Sequence, residues 1–262
     1  MTSMSGNPGR VRAGDDLVAG TRRITEPMKT PWGELTVVAF AGAVLGYLVK
    51  VPCRFGGGWM YGTQYEYGCY SDVFPLYYRD GLDTGTVPYL DQPVEYPVLT
   101  GGLMHLVARA VSWLPDTDSR ALGYFDLTAA VLAAALVIVV LGTGHLVGRG
   151  GIRPGGRPFD RRAALLAGGF VALAPAAFLT AYINWDLLAV MLMTGGLVCY
   201  AHGRQWLGGG LIGLAVAAKF YPFLFFGPLF VLVLRRLLAG RAASLPGISS
   251  ARWPVPLPRG PR

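Results

Sequence analysis

Apolar residues in this chain fall into long blocks, separated by short segments rich in glycine, proline and arginine. Blocks of this length, uninterrupted by polar alternation, predict membrane-crossing helices rather than the amphipathic elements of a water-soluble core. Candidate spans lie at roughly 33–51, 121–147, 163–183, 186–201, 207–220 and 222–236. One further apolar stretch, 97–114, is broken by Gly101-Gly102 and carries His105 and Arg109, so it is read as lying along the interface. The later spans are short. About fourteen residues at about 1.5 Å each reach roughly 21 Å, against a hydrocarbon core of about 30 Å. Either the bilayer thins around them, or their outer ends lie below the interface and floor a pocket. A different arrangement joins 207–234 into one span kinked at Pro222, with Lys219 near its middle.

The arginines orient the spans. Arg10, Arg12, Arg22, Arg23 and Lys29 precede the first block, and Arg149, Arg153, Arg157, Arg161 and Arg162 separate the second from the third. Arg204, Arg235, Arg236 and Arg241 come later. With about six spans, and 97–114 not crossing, all of these lie on the cytoplasmic side, as the positive-inside rule requires. The kinked alternative would send the C-terminal arginines outside. The expected protein is therefore an all-α polytopic protein of the cytoplasmic (inner) membrane with both termini inside. Residues 1–30 are expected as a disordered tail and 31–236 as the membrane domain, with a large extracytoplasmic first loop at 52–120. Residues 237–262 are expected as a disordered Pro/Arg-rich tail. The first block starts too late for a cleaved signal peptide and reads as an uncleaved anchor.

Composition agrees with this picture: 53% of residues are hydrophobic and 15% charged, where soluble domains carry about 25% charged residues. The net charge of +8 resides in loops beside apolar blocks, which argues against nucleic acid as a partner and for membrane lipids.

Candidate chemistry concentrates in residues 52–96. Glu66, Asp72, Asp80, Asp83, Asp91 and Glu95 face only Arg54 and Arg79 there, among many tyrosines. Cys53 and Cys69 share the segment and are candidates for a disulfide if it faces an oxidising compartment, although sequence spacing fixes no bridging geometry. Asp72 precedes the run Val73-Phe74-Pro75-Leu76-Tyr77-Tyr78; an aspartate so placed is commonly a helix N-cap, while in a partly desolvated pocket it can serve as a general base. Glu95-Tyr96-Pro97 opens the interfacial stretch with residues that also favour a helix start. Tyr70, Tyr77, Tyr78, Tyr89 and Tyr96 suit either an aromatic belt at the headgroups or stacking against sugar rings. On the expected topology the turns Asn184-Trp185-Asp186 and Lys219-Phe220-Tyr221-Pro222 join them on the outer face. Trp185 would anchor at the interface and Lys219 would snorkel or meet a lipid phosphate. His105, His145 and His202 are scattered, and the sequence carries no metal signature, Walker-type loop or Cys-x-x-Cys.

Ser71-Asp72-Val73-Phe74 with Tyr77-Tyr78, then Val87-Pro88-Tyr89 and Glu95-Tyr96-Pro97, resemble the first outer loop of a membrane glycosyltransferase family. Asn184-Trp185-Asp186-Leu187-Leu188-Ala189 and Ala217-Ala218-Lys219-Phe220-Tyr221-Pro222 resemble its later outer turns. The family is the polyprenol-phosphate-mannose-dependent alpha-mannosyltransferases, glycosyltransferase family 87 of the GT-C superfamily. The resemblance implies a GT-C-like helical bundle with juxtamembrane helices in the first outer loop. It implies a polyprenyl-phosphate sugar donor, a lipid or glycan acceptor, and no nucleotide, cofactor or metal. Asp72 matches the catalytic base; Glu95, Tyr78, Asp186, Lys219 and Tyr221 are the expected substrate contacts. The family usually carries further spans, whereas Ser244-Leu245-Pro246 here opens a Pro/Arg/Ser-rich end, so a truncated and inactive remnant is one rival reading. Another is a small transporter or flippase component, which charges near broken helices would suit. Against it stand the lack of an internal repeat and the placement of the acids in an outer loop.

Overall fold

A computed structural model describes residues 30–59, 62–150 and 159–243. The tail expected before residue 30 and the chain after Ala243 lie outside the described residues. Regular structure among those described is helical: α1 (Trp32–Phe55), α2 (Thr63–Glu66), α3 (Val73–Arg79), α4 (Val98–Val111), α5 (Thr117–Gly148), α6 (Arg161–Leu173), α7 (Pro175–Thr180), α8 (Asp186–Ala201), α9 (Gln205–Ala218) and α10 (Phe226–Ala243), with 3-10 turns at Leu82–Thr84 and Tyr221–Phe225. No strand forms among them, only an isolated bridge between Pro88 and Gln92.

Each apolar block becomes helix, with differences that have local causes. α1 continues to Phe55, so Cys53 and Arg54 belong to the helix and not to the loop expected from residue 52. The block at 163–183 is broken into α6 and α7 because Pro175 restricts its predecessor; Ala174 takes φ −60° and ψ 131°, outside the helical region. The tail expected from residue 237 begins as helix, since α10 runs to Ala243. A single kinked span over 207–234 does not form: Lys219 is extended, at φ −152° and ψ 143°, and a 3-10 turn follows it.

Two helices, α1 and α5, are long and apolar enough to cross a membrane, by length and composition. α5 is the spine, packed against α1, α3, α4, α6 and α8. It starts where Asp116 accepts a hydrogen bond from the Ser119 amide at 2.8 Å, a cap that satisfies one of the four free amides of a helix start. α1 approaches α6 and α7 closely because it presents Gly42 and Gly46; a Cβ at Gly46 would lie 2.9 Å from the Phe178 carbonyl oxygen. Small residues at such crossings let dispersion contacts replace the hydrophobic drive that is absent between helices in lipid.

At one end of the bundle Glu34 pairs with Arg161, and the rings of Trp32, His145 and His202 stack in sequence at 5.4 and 5.2 Å. At the other end lie the C-terminus of α1, the long segment 56–116, the α7–α8 break and the α9–α10 turn. There Arg54 forks onto Asp126 (Nη2 to Oδ2 2.7 Å, Nε to Oδ1 2.9 Å), and the Tyr47 hydroxyl donates to the same carboxylate at 2.8 Å.

Removing one member of this pair strands the other. The side chains are 19% and 36% exposed, so solvent screens part of the loss, and Asp126→Ala is expected to cost about 2 kcal/mol rather than the 3–5 of a fully buried pair. Thermal unfolding in detergent measures this, and an Arg54→Met/Asp126→Leu double variant should recover most of the loss.

Candidate active site

The site is assembled at the break between α7 and α8. The Tyr182 and Ile183 carbonyls have no helical partners, and the chain before α3 supplies them. The buried Ser71 hydroxyl donates to the Tyr182 carbonyl at 2.7 Å, and the Asp72 amide donates to the Ile183 carbonyl at 2.7 Å. Residue 69 is fixed by a disulfide to Cys53 on α1, with Cα atoms 5.9 Å apart. Its carbonyl accepts the Trp59 indole N–H at 2.8 Å, and Trp59 packs on Phe74 and Phe125 at 5.1 and 4.3 Å.

Asp72 stands at the N-cap position of α3, yet its side chain caps nothing. The Val73 amide is satisfied by Ser71 Oγ at 3.2 Å instead. Asp72 Oδ1 accepts the Tyr70 hydroxyl at 2.6 Å. That hydrogen bond, then partial burial, pushes the Tyr70 phenol up to about 12. A carboxylate released from capping and held by one tyrosine keeps its second oxygen for another donor.

Tyr96, from the start of the α4 segment, is buried and packs edge-on against Trp185 at 5.1 Å. Lys219 Nζ lies 4.7 Å over the Tyr96 ring and 2.7 Å from Asp186 Oδ1, a charge contact held between two chain breaks. The buried Thr100 hydroxyl donates to the Ala218 carbonyl at 2.7 Å and so fixes the residue before Lys219. Burial, followed by the charges of Asp72, Asp186 and Glu95, pushes the Tyr96 phenol above its usual value. These three carboxylates therefore share one electrostatic neighbourhood around a neutral tyrosine. Glu95 is at its rim, exposed, and accepts Arg79 Nη1 at 3.2 Å; Arg79 Nε also binds the buried Asp80 at 2.9 Å.

Of the sequence-predicted residues, Asp186 and Lys219 pair beside the Tyr96 ring, Asp72 is tied through its amide to Ile183 just before Asp186, Glu95 immediately precedes Tyr96, and Tyr221 opens the turn just after Lys219. Tyr78 does not join them. It packs on Phe74 and Tyr77, reaches Asp118 at 3.5 Å, and lines a separate cavity of about 470 Å³ with Arg54, Gly58 and Leu122. Sequence reasoning missed Tyr70 as a partner of Asp72, Ser71 as the cross-link to Tyr182, and Lys50. The last had a legible signal, a lysine inside an apolar block. Among the described residues no three His, Cys, Asp or Glu side chains cluster as a metal site would need.

The model of glycosyltransferase family 87 matches residues 96–251, more than half of the chain. Its matched region takes in Tyr96, Asp186 and Lys219, while Asp72 and the disulfide lie before it. No curated protein and no solved structure matches the chain.

The Tyr70–Asp72 bond carries a pH signature. A phenol whose pKa is raised on folding contributes stability that is complete below the unfolded value of about 10 and is lost as pH rises through the folded value of about 12. The thermal-stability difference between wild type and Tyr70→Phe should therefore be constant at neutral pH and shrink above pH 10. A difference independent of pH up to 12 would contradict the bond.

Proposed function

Because the chain belongs to glycosyltransferase family 87 and is a membrane glycosyltransferase, we propose that it moves a sugar, mannose in the first instance, from a polyprenyl-phosphate donor to a lipid or glycan acceptor. The reaction takes place on the outer face of the cytoplasmic membrane. The observation that carries this reading is the Lys219–Asp186 pair beside the Tyr96 ring, next to the 182–184 turn to which the Asp72 amide is bonded, at one end of the bundle.

In this scheme the acceptor hydroxyl oxygen bonds to the anomeric carbon and its proton passes to the Asp72 carboxylate. The bond from that carbon to the phosphate oxygen breaks, and the phosphate leaves with the electron pair. Lys219 meets that developing charge; an ammonium already placed by Asp186 and the Tyr96 ring needs little reorganisation at the moment of reaction. Asp186 and Glu95 accept sugar or acceptor hydroxyls, and Tyr221 offers its ring beside Lys219. Tyr78, in the adjoining cavity with Asp118, contacts a more distant part of the acceptor. The scheme calls for neither a nucleotide nor a metal. Six membrane crossings with both termini inside remain the topology proposed here, since they put every one of these groups on the outer side.

The test uses membranes containing the full chain and labelled polyprenyl-phosphate mannose. Asp72→Asn, inserted at wild-type level, should lower transfer about 10²–10⁴-fold, the usual share of a general base. Lys219→Met should lower it about 10²–10³-fold. Full activity in Asp72→Asn sinks the base assignment. Transfer only from a donor carrying another sugar would correct the mannose reading and leave the rest standing.

A further inference from the structure

Lys50 lies on the packed stripe of α1, in line with Leu35, Ala39, Gly42, Ala43, Gly46 and Cys53. It is 1% exposed. Among the described residues no carboxylate pairs with it; its ammonium donates to the Tyr70 carbonyl at 2.6 Å and reaches the Leu179 carbonyl at 3.5 Å. A buried cation without a counter-ion is unfavourable unless its protons are well used. A methionine would fill the same stripe without desolvating a charge. What the ammonium adds is therefore what it holds.

It holds two things that the site depends on. The Tyr70 carbonyl begins the strip Tyr70-Ser71-Asp72, whose other anchors are the carbonyls of Tyr182 and Ile183. Leu179 lies in α7, just before those same carbonyls. Lys50 thus touches both sides of the seam that aims Asp72, through a short charge-assisted hydrogen bond to the Tyr70 carbonyl and a long contact to the Leu179 carbonyl. Without it, the Tyr70 carbonyl would lose its buried donor, and the tyrosine whose hydroxyl meets Asp72 would be held through its neighbours, by the disulfide and Trp59 at Cys69 and by the Ser71 and Asp72 bonds to the 182–183 turn. We propose that Lys50 is a positioning residue for the transfer reaction: it acts through Tyr70 to keep Asp72 at its working orientation, and does not touch substrate. This rests on the reading of Asp72 as the base.

The experiment compares Lys50→Met, Lys50→Arg and Asp72→Asn in the full chain, purified in detergent. Two readouts are taken: kcat and donor KM with polyprenyl-phosphate mannose, and hydrogen–deuterium exchange of the peptide covering residues 69–73. A misplacement of about 1 Å costs on the order of 10²-fold in rate, so Lys50→Met should lower kcat tenfold or more and leave donor KM within about twofold. Lys50→Arg, which keeps a charged donor, should recover most of the rate. Exchange at 69–73 should quicken in Lys50→Met and return to the wild-type rate in Lys50→Arg, while the peptide covering α4 stays unchanged. Wild-type kcat in Lys50→Met overturns the proposal. So does unchanged exchange at 69–73, or an equal loss in Met and Arg variants with exchange raised throughout, which would make Lys50 a general packing residue. An active Asp72→Asn variant overturns the base assignment, and this role with it. An inactive Asp72→Asn beside a fully active Lys50→Met removes the role of Lys50 alone.

Discussion

Backbone carbonyls exposed by a broken helix near a membrane must find donors within the protein, and this requirement organises the functional end of the molecule. Pro175 interrupts what the hydropathy pattern presents as one span, 163–183, and the turn at Tyr182–Asn184 ends it. The carbonyls left at 182 and 183 are met by Ser71 and the Asp72 amide, so a segment more than a hundred positions away is drawn onto the break. Irregular backbone is tolerated at such depth only when it is satisfied in this way. The disulfide, Trp59 and Lys50 then fix the donor strip from its other side. The position of Asp72 follows from satisfying the hydrogen bonds of Tyr182 and Ile183.

The same logic explains the second chain break. Lys219 lies between α9 and a 3-10 turn, its predecessor held by Thr100. Its ammonium is shared by an aromatic face and Asp186. Both breaks expose polar groups toward each other, and the charges they carry are compensated locally instead of across the bundle. Arg54 and Asp126 do the equivalent between α1 and α5.

Much of this was legible in the sequence, for identifiable reasons. The helices follow directly from apolar block length, because in lipid a helix is the one local structure that satisfies its own backbone. The gathering of Asp72, Glu95, Asp186 and Lys219 followed from arginine placement, which orders loops by side without any knowledge of contacts. Pairwise geometry was not legible. Tyr78 reads as a neighbour of Asp72 in sequence, yet on a short helix its ring turns toward Phe74 and Asp118. Asp72 reads as a cap, but Ser71 takes over that hydrogen bond once its own hydroxyl is buried. Lys50 was legible as a lysine inside an apolar block, but not its partner: a single charge barely alters the hydropathy of a 24-residue helix, and nothing in the sequence points it at the Tyr70 carbonyl.

The brevity of α8 and α9 bears on how the lipid-linked donor proposed above would arrive. At 16 and 14 residues they rise about 24 and 21 Å, where the hydrocarbon layer is about 30 Å thick. A hairpin seated at its His202–Gly203 turn therefore ends roughly 6–9 Å short of the opposite boundary. Each methylene dragged from lipid into water costs about 0.8 kcal/mol. For the polyprenyl-linked donor proposed above, a floor set that low would let the head be presented while the tail stays dissolved, so the work of extraction would fall on neither enzyme nor substrate.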